Sequence, residues 1–264
     1  MKTKKIEFVK SYTGLIGVDG PWKSRSVNRY QDLILKDEYR DRRMKFPIGK
    51  TWIRILPALK GSNSGWMLGV HSLSYKGGRH AHPRTIKAGS KCVFDEAYEW
   101  LVKHKPDTLY SKNNREGYRL LADPMCLFWI ITEVNGKPVA RLFLGSGYDR
   151  SRGGVAGLGY QIYKMANAND SNAVDPEKGF QICIEKVQNT DSQYPGYTLS
   201  IDKSSTPADD LIEIMDPDEI AVITPLDSVV NIPTEEEEWR LLENVIDADT
   251  ISEIRSSSEE SEQR

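Results

Sequence analysis

The sequence predicts a mainly β protein whose short strands form a small Greek-key barrel with one or two inserted helices. Two observations support this prediction. Between about residues 46 and 202, short apolar runs are separated by turn residues, and hairpin signals rather than long helices join the runs. Antiparallel hairpins of this kind favour a small barrel, whereas a parallel sheet requires a helical crossover between its strands.

Two apolar runs predict the first strands. Residues 51–59, TWIRILPAL, alternate in polarity and include Pro57, which is typical of an edge strand or a strand end. Residues 65–75, GWMLGVHSLSY, predict a second strand that leads into a basic stretch, SYKGGRHAHPRTIKAGSK. Before these strands, residues 1–45 predict a partly ordered basic arm with a short helix near residues 30–40.

Helices and hairpins follow the basic stretch. Residues 92–106, CVFDEAYEWLVKHKP, have apolar side chains at helical spacing, acids in the first turn, bases in the last turn and a terminal proline. The runs CLFWIITEV and PVARLFLG are separated by Asn135-Gly136-Lys137, and an Asn-Gly turn between apolar runs is a strong hairpin signal. AGLGYQIYKMANA predicts a second helix, and GFQICIEKV with YTLSID predicts a final hairpin.

The chain after residue 206 is acidic. Its apolar runs are short and interrupted by proline, and its end, SSSEESEQR, has the composition of a disordered segment. Thr234 is placed as the N-cap of a docking helix over residues 235–246. The helix carries an apolar stripe formed by Trp239, Leu242 and Val245. We therefore predict a basic arm (1–45), a core (46–206) and an acidic, disordered tail (207–264).

Charge is distributed unevenly along the chain. Residues 1–150 carry 28 Lys and Arg against 14 Asp and Glu, whereas residues 201–264 carry 4 against 19, although the net charge is only −2. A basic body joined to an acidic tail is typical of nucleic-acid-binding proteins, and a globular domain with a solvated tail is the alternative. No apolar run is long enough to span a membrane and no secretory signal precedes the body, so we expect a cytoplasmic protein without membrane contact.

Metal, nucleotide and catalytic sites are each weakly supported. His71, His80, His82 and Cys92 lie close in sequence, but zinc requires four ligands and the ligand set is incomplete, so we predict no metal and no cofactor. Residues 145–159, GSGYDRSRGGVAGLG, lack the Gly-Lys-Ser/Thr ending of a nucleotide-binding loop. The acids of the body are scattered, which disfavours general acid–base catalysis and predicts that the protein is not an enzyme.

Basic and aromatic residues interleave along the body. Proteins that bind single strands combine a positive groove for phosphates with aromatic faces on which bases stack. The basic residues predicted to contact nucleic acid are Arg54, Lys76, Arg79, Arg84, Lys87, Lys91, Arg115, Arg119, Arg150 and Arg152. The aromatic residues predicted to stack on bases are Tyr75, Tyr118, Trp129 and Tyr148. Tyr118 is the strongest of these candidates because arginines flank it in NNREGYRLL.

Several of these features occur in an order that resembles a known family. They are the strand Ile53-Arg54-Ile55-Leu56-Pro57, the basic stretch, the segment CVFDEAYEWL, the pair of runs EGYRL and LFWI, and two later strands. Together they cover about 60% of the chain. This ordered set resembles the T-even-type bacteriophage single-stranded-DNA-binding (helix-destabilising) proteins, in which Tyr-bearing strands line the DNA cleft.

The resemblance implies a five-stranded OB-like barrel that binds single-stranded DNA without strong sequence preference during phage DNA replication, recombination and repair, in the cytoplasm of the host cell. It also implies that the acidic tail competes with DNA for the groove and recruits replication or recombination proteins, with Trp239, Leu242 and Val245 as contacts. The family's zinc-bearing subdomain uses one His and three Cys. Only Cys92 lies in the corresponding place here, which argues against zinc.

Two other classes of function stay open. An RNA- or polymerase-binding accessory protein of transcription or recombination would prefer RNA to single-stranded DNA, or would lose its partner when the tail is removed. A metal-dependent nuclease would lose product formation when acids of the body are replaced by alanine. The scarcity of clustered acids disfavours the nuclease.

Overall fold

A computed structural model describes residues 31–75, 78–111, 113–149, 156–168, 173–188 and 195–262. The strands are β1 (Gln31–Asp32), β2 (Gly49–Ile55), β3 (Leu68–Tyr75), β4 (Gly78–Ala81), β5 (Asp123–Val134), β6 (Lys137–Ser146), β7 (Phe180–Val187) and β8 (Gly196–Ser205). The helices are α1 (Asp37–Arg40), α2 (Val93–His104), α3 (Leu158–Ala166), α4 (Ala208–Glu213), α5 (Pro217–Ala221), α6 (Leu226–Val229), α7 (Glu235–Leu242) and α8 (Ala248–Glu262). The prediction of a mainly β protein is confirmed as antiparallel sheet with several helices.

The described residues divide into two compact units. The first unit draws on residues 37–69 and 124–229, and the second on residues 31–36, 70–123 and 230–262. The two compact units therefore do not coincide with the arm, core and tail, which composition predicts as consecutive parts of the chain. Composition shows where the charge and polarity of the chain change. A compact unit is instead defined by the segments that pack together.

In the first unit, strands β6, β5, β2, β7 and β8 form an antiparallel sheet in that order. The register places Ile53 opposite Ile182 and Ile55 opposite Ile130, so apolar side chains of neighbouring strands share one face. This face forms the core of the unit together with Phe46, Trp66, Met67, Phe128, Phe143, Phe180 and Ile184. Ile162 and Ala166 of α3 complete the core, so a helix covers part of the sheet.

The predicted barrel is not closed. Strands β6 and β8 lie at the two ends of the strand order in the first unit, and no pairing between them is present among the described residues. The apolar face is instead covered in part by α3. Hairpin signals identify neighbouring strands, but closure also requires the first and last strands to meet, which local sequence does not specify.

The hairpin predicted at Asn135-Gly136 is confirmed. Strands β5 and β6 pair along their whole length, from Val134 opposite Lys137 to Met125 opposite Ser146. Asn135 has φ 52° and Gly136 has φ 77°, which are the positive values that a two-residue turn matching the twist of the strands requires. Asparagine and glycine adopt this conformation more readily than other residues.

The second unit contains strands β1 and β4, most of β3 and the predicted helix α2. Strand β4 pairs with β3 in antiparallel and with β1 in parallel orientation. Helix α2 begins after Cys92, whose backbone N–H donates to the Asp95 carboxylate at 3.2 Å. The core of this unit includes Leu73, Tyr75, Val93, Phe94, Ala97, Leu101, Leu120, Leu242, Ile246, Ile251 and Ile254.

The acidic segment after residue 207 is folded where the structure describes it, and the prediction of a disordered tail is wrong there. Helices α4 to α8 occupy much of residues 208–262. Leu242, Ile246, Ile251 and Ile254 are buried in the core of the second unit, so their hydrophobic burial offsets the entropy cost of ordering this polar segment. The predicted N-cap is confirmed, because the Thr234 hydroxyl accepts a hydrogen bond from the Glu237 N–H at 3.3 Å. No described helix is long and apolar enough to cross a membrane.

Candidate nucleic-acid interface

A loop lies between α2 and β5 in the second unit; its described residues are 105–111 and 113–122, and we refer to it as the aromatic loop. The loop closes on itself because the Tyr118 backbone N–H donates to the Thr108 carbonyl at 2.8 Å. Gly117 permits this closure, since a Cβ at that position would lie 2.5 Å from the carbonyl carbon of Leu109. The close approach of the Gly117 backbone to the Leu109 backbone therefore fixes where the side chains of the loop project.

The aromatic loop carries three residues that the sequence placed in the interface, Arg115, Tyr118 and Arg119. The Arg119 guanidinium lies 5.0 Å from the centroid of the Tyr110 ring, a cation–π contact, and Arg115 is exposed. Tyr118 is half-buried, and its hydroxyl donates to a carboxylate oxygen of Asp247 at 2.8 Å. Burial, and then this hydrogen bond to Asp247, raises the pKa of Tyr118. The loop can therefore offer a ring and two positive charges to a polyanion.

Other predicted cations lie in or just after β4, also in the second unit. Lys87 is exposed, and the Lys91 side chain is 63% exposed with its ammonium 2.9 Å from Glu99. Arg79 and Arg84 are half-buried. Exposed ion pairs contribute little to stability, so a phosphate can replace Glu99 beside Lys91 at small cost.

Three predicted phosphate contacts, Lys76, Arg150 and Arg152, lie outside the described residues. Arg54 is described, and its position does not fit the predicted role. Its side chain is 0% exposed and donates to the carbonyl oxygens of Thr206 at 2.8 Å and of Ala173 and Asp175 at 2.5 Å each. Burial lowers the pKa of Arg54 to about 10, which leaves it charged at neutral pH. Arg54 joins β2 to the chain on either side of β7 and β8 in the first unit and presents no donor to a phosphate.

Three of the four aromatic residues predicted to stack on bases are buried. Trp129 is 2% exposed, and its indole N–H donates to the Thr224 carbonyl at 2.8 Å. Tyr75 packs against Phe94 in the second unit, and Tyr148 is buried in the first. Stacking on a base would require these rings to leave their cores. Only Tyr118, among the four, reaches solvent.

The stripe predicted to dock a partner protein packs against its own chain. Leu242 is fully buried in the core of the second unit, and Trp239 and Val245 pack against the same core. Arg255 of α8 lies 4.7 Å from the centroid of the Trp239 ring. Leu242 would contact a partner only if α7 left this position, whereas Trp239 and Val245 are half-buried.

Helix α8 contacts the aromatic loop at a second point. The Lys105 ammonium lies 2.9 Å from a Glu253 carboxylate oxygen and donates to the Thr250 hydroxyl at 3.2 Å. Together with the bond between Tyr118 and Asp247, this contact places acidic side chains of the C-terminal segment against basic and aromatic side chains of the loop. The carboxylates occupy positions that phosphates would favour on electrostatic grounds.

The donor groups of His82, Cys92 and Asp95 lie within 4.8 Å of one another in the second unit and could hold a metal ion. Zinc sites ordinarily have four ligands, and this cluster supplies three. The Asp95 carboxylate already binds the His82 ring at 2.6 Å and the Arg84 guanidinium at 3.3 Å. Burial raises the pKa of the Cys92 thiol well above its usual range, so its protonated form is stable without a metal.

No family model, no curated protein and no solved structure matches this chain.

Sequence reasoning missed four residues of this region. Tyr110 stands close to Arg115 in sequence, and its aromatic character was the signal that could have identified it. Asp95 follows Cys92 by three residues, a spacing that would have suggested a ligand if carboxylates had been considered beside cysteines. Asp247 and Glu253 gave no local signal, because their partners are more than a hundred positions away.

Proposed function

We propose that this protein binds single-stranded DNA without strong sequence preference and is not an enzyme. The aromatic loop would stack bases on Tyr118, and Arg115, Arg119, Lys87 and Lys91 would contact phosphates. Each base stacked on an aromatic ring contributes about 1–3 kcal/mol and tolerates any sequence, because every base has a π-face. The protein would protect DNA during phage replication, recombination and repair in the cytoplasm of the host cell.

The observation that carries the proposal is the contact between the aromatic loop and the acidic C-terminal segment. Tyr118, the candidate stacking residue that reaches solvent, donates its hydroxyl to Asp247 at 2.8 Å. A carboxylate that holds this ring supports competition between the acidic segment and DNA for the same side chains. The pairing of Lys105 with Glu253 at 2.9 Å supports the same competition.

The resemblance to the T-even-type phage single-stranded-DNA-binding proteins remains part of this proposal. The proposal includes recruitment of replication or recombination proteins by the acidic segment. Trp239, Leu242 and Val245 would become available to such a partner when DNA displaces α7 and α8. The proposal needs no metal and no other cofactor.

Binding of fluorescein-labelled oligo-dT by the full chain tests the proposal, with anisotropy measured over a range of salt concentrations. We expect log K to fall linearly with log salt, with a slope of about −0.7 for each phosphate neutralised. Lys87→Ala and Arg115→Ala should each weaken binding and reduce the steepness of the slope by about 0.7. Lys178→Ala, which removes an exposed lysine of the first unit, is the matched control. Absence of binding at low salt, or equal losses in all three variants, would contradict the proposal.

A further inference from the structure

A carboxylate from the acidic segment occupies the N-terminus of α2. Glu238 of α7 is 2% exposed, and its Oε2 accepts a hydrogen bond from the backbone N–H of Val93, the first residue of α2, at 3.1 Å. The first N–H groups of a helix lack partners within the helix and attract negative charge. The same property makes helix N-termini binding sites for phosphate.

A second observation at this place concerns His80 on β4. Its side chain is 0% exposed, and among the described residues neither ring nitrogen has a hydrogen-bond partner. Its Nε2 points towards Glu238 Oε1 at 3.8 Å, which is too long for a hydrogen bond, and Oε1 has no partner among the described residues either. Buried polar groups without hydrogen-bond partners are costly. His80 and Glu238 face each other without forming a hydrogen bond, which indicates that Glu238 fits this position imperfectly.

Arg84 adds a cation at the same end of α2. Its Nη2 lies 3.3 Å from the carboxylate of Asp95, in the first turn of α2, and its Nε is buried with no hydrogen-bond partner among the described residues. Asp95 opposes a bound anion, but it also accepts hydrogen bonds from the Cys92 N–H at 3.2 Å and is held by His82 at 2.6 Å. Its charge is offset by the Cys92 N–H and by His82 as well as by Arg84.

Other carboxylates lie close to Glu238. Burial of Glu238 and the neighbouring Asp95, Glu235 and Glu96 together raise the pKa of Glu238 to about 7, against the hydrogen bond from Val93, which lowers it. Glu238 is therefore a poorly matched occupant of the position beside His80.

We propose that the N-terminus of α2, with the Val93 N–H, His80 and Arg84, is a phosphate-binding site that Glu238 occupies while α7 is docked, and that a backbone phosphate of single-stranded DNA replaces Glu238 there. This inference rests on the proposed function and names one group through which the acidic segment would compete with DNA. A phosphate has more oxygens than a carboxylate, so it can engage the imidazole and the helix N-terminus together.

The test compares full-length Glu238→Ala with the wild type, using inorganic phosphate as the first probe and labelled oligo-dT as the second. Phosphate binding, measured by isothermal titration calorimetry, is expected to become at least fivefold tighter in Glu238→Ala, and oligo-dT binding several-fold tighter. Glu236→Ala removes an exposed carboxylate from the same helix and is the matched control, expected to resemble the wild type. Adding His80→Ala to Glu238→Ala should abolish the gain in phosphate binding. Glu238→Gln, which keeps the side-chain volume and an acceptor for Val93, replaces the alanine variant if thermal unfolding shows that alanine prevents folding.

The outcomes separate this inference from the proposed function. Equal phosphate binding by the wild type and Glu238→Ala, or a gain that survives His80→Ala, overturns the phosphate site. A phosphate gain without any change in oligo-dT affinity overturns DNA as the source of the phosphate. Absence of oligo-dT binding in every variant, with the phosphate gain retained, contradicts the proposed function while the anion site stands.

Discussion

The hydroxyl of Tyr118 donates a hydrogen bond to Asp247 at 2.8 Å, although the two residues are 129 positions apart in the chain. Asp247 is itself held in place, because its other carboxylate oxygen accepts from the Thr250 N–H at 2.9 Å at the start of α8. The contact therefore joins two ordered elements of the second unit. It links the candidate base-stacking ring to the acidic segment through a single pair of atoms.

Replacing Asp247 by asparagine should strengthen DNA binding. Asparagine keeps the hydrogen bond that caps α8 but removes the charge that Tyr118 contacts. The hydrogen bond between Tyr118 and Asp247 contributes a net of about 0.5–1.5 kcal/mol to the contact that competes with DNA. Its loss should therefore make oligo-dT bind about two- to tenfold more tightly. Fluorescence anisotropy measures the change, and Asp249→Asn, an exposed acid in the first turn of the same helix, is the control. Equal affinities of the two variants would contradict the role of this contact.

Replacing Arg54 by methionine should destabilise the first unit without changing DNA contacts. Methionine leaves the carbonyl oxygens of Thr206, Ala173 and Asp175 without their buried donor. We expect a loss of about 2–4 kcal/mol in the free energy of unfolding, since unsatisfied buried polar groups are costly. Urea denaturation measures the loss, and Lys50→Met on the same strand should stay within about 0.5 kcal/mol of the wild type. A stable Arg54→Met variant with a shallower salt dependence of DNA binding would restore the phosphate role of Arg54.

The contact between Asp247 and Tyr118 should weaken in acid. The hydrogen bonds from the Thr250 N–H and then from the Tyr118 hydroxyl lower the pKa of Asp247 to about 2, below its usual value of 3.8. A lowered pKa means that this stabilisation is fully present above about pH 4 and is lost as the pH falls towards 2. The difference in thermal midpoint between the wild type and Tyr118→Phe should therefore be present at pH 6 and shrink between pH 4 and pH 2. A difference that stays constant over this range would show that ionised Asp247 does not contribute.

Removal of metal should leave the fold unchanged. The Asp95 carboxylate is satisfied by His82, Arg84 and the Cys92 N–H, so the cluster is stable without an ion. We expect the same midpoint of thermal unfolding before and after dialysis against a chelator. A drop that zinc restores, and that disappears in Cys92→Ser but not in Cys126→Ser, would show that the cluster binds zinc.

Local patterns in the sequence predicted local structure well. The Asn135-Gly136 turn, the spacing in residues 92–106 and the Thr234 cap each depend on neighbours within a few positions, and each is present. Helix α3 follows from its apolar spacing in the same way. Such features are determined by backbone preferences and by side chains at i+3 or i+4.

The accessibility of side chains was not predictable in this way. Strand β5 is buried on both faces along most of its length, so alternation gave no indication that Trp129 would be covered. Arg54 binds carbonyl groups that are more than a hundred positions away in sequence. The apolar residues near Ile246 are few and far apart, and they become part of a core only because α2 supplies the opposite face.

The comparison of Tyr118→Phe with Tyr118→Ala in oligo-dT binding tests the central claim most directly. Phenylalanine keeps the ring but loses the hydroxyl that bonds Asp247, whereas alanine loses both. If Tyr118 stacks on a base and Asp247 competes for it, the alanine variant should bind about five- to a hundredfold more weakly, in line with about 1–3 kcal/mol for one stack. The phenylalanine variant should bind as tightly as the wild type or more tightly. Two variants with wild-type affinity would contradict the account.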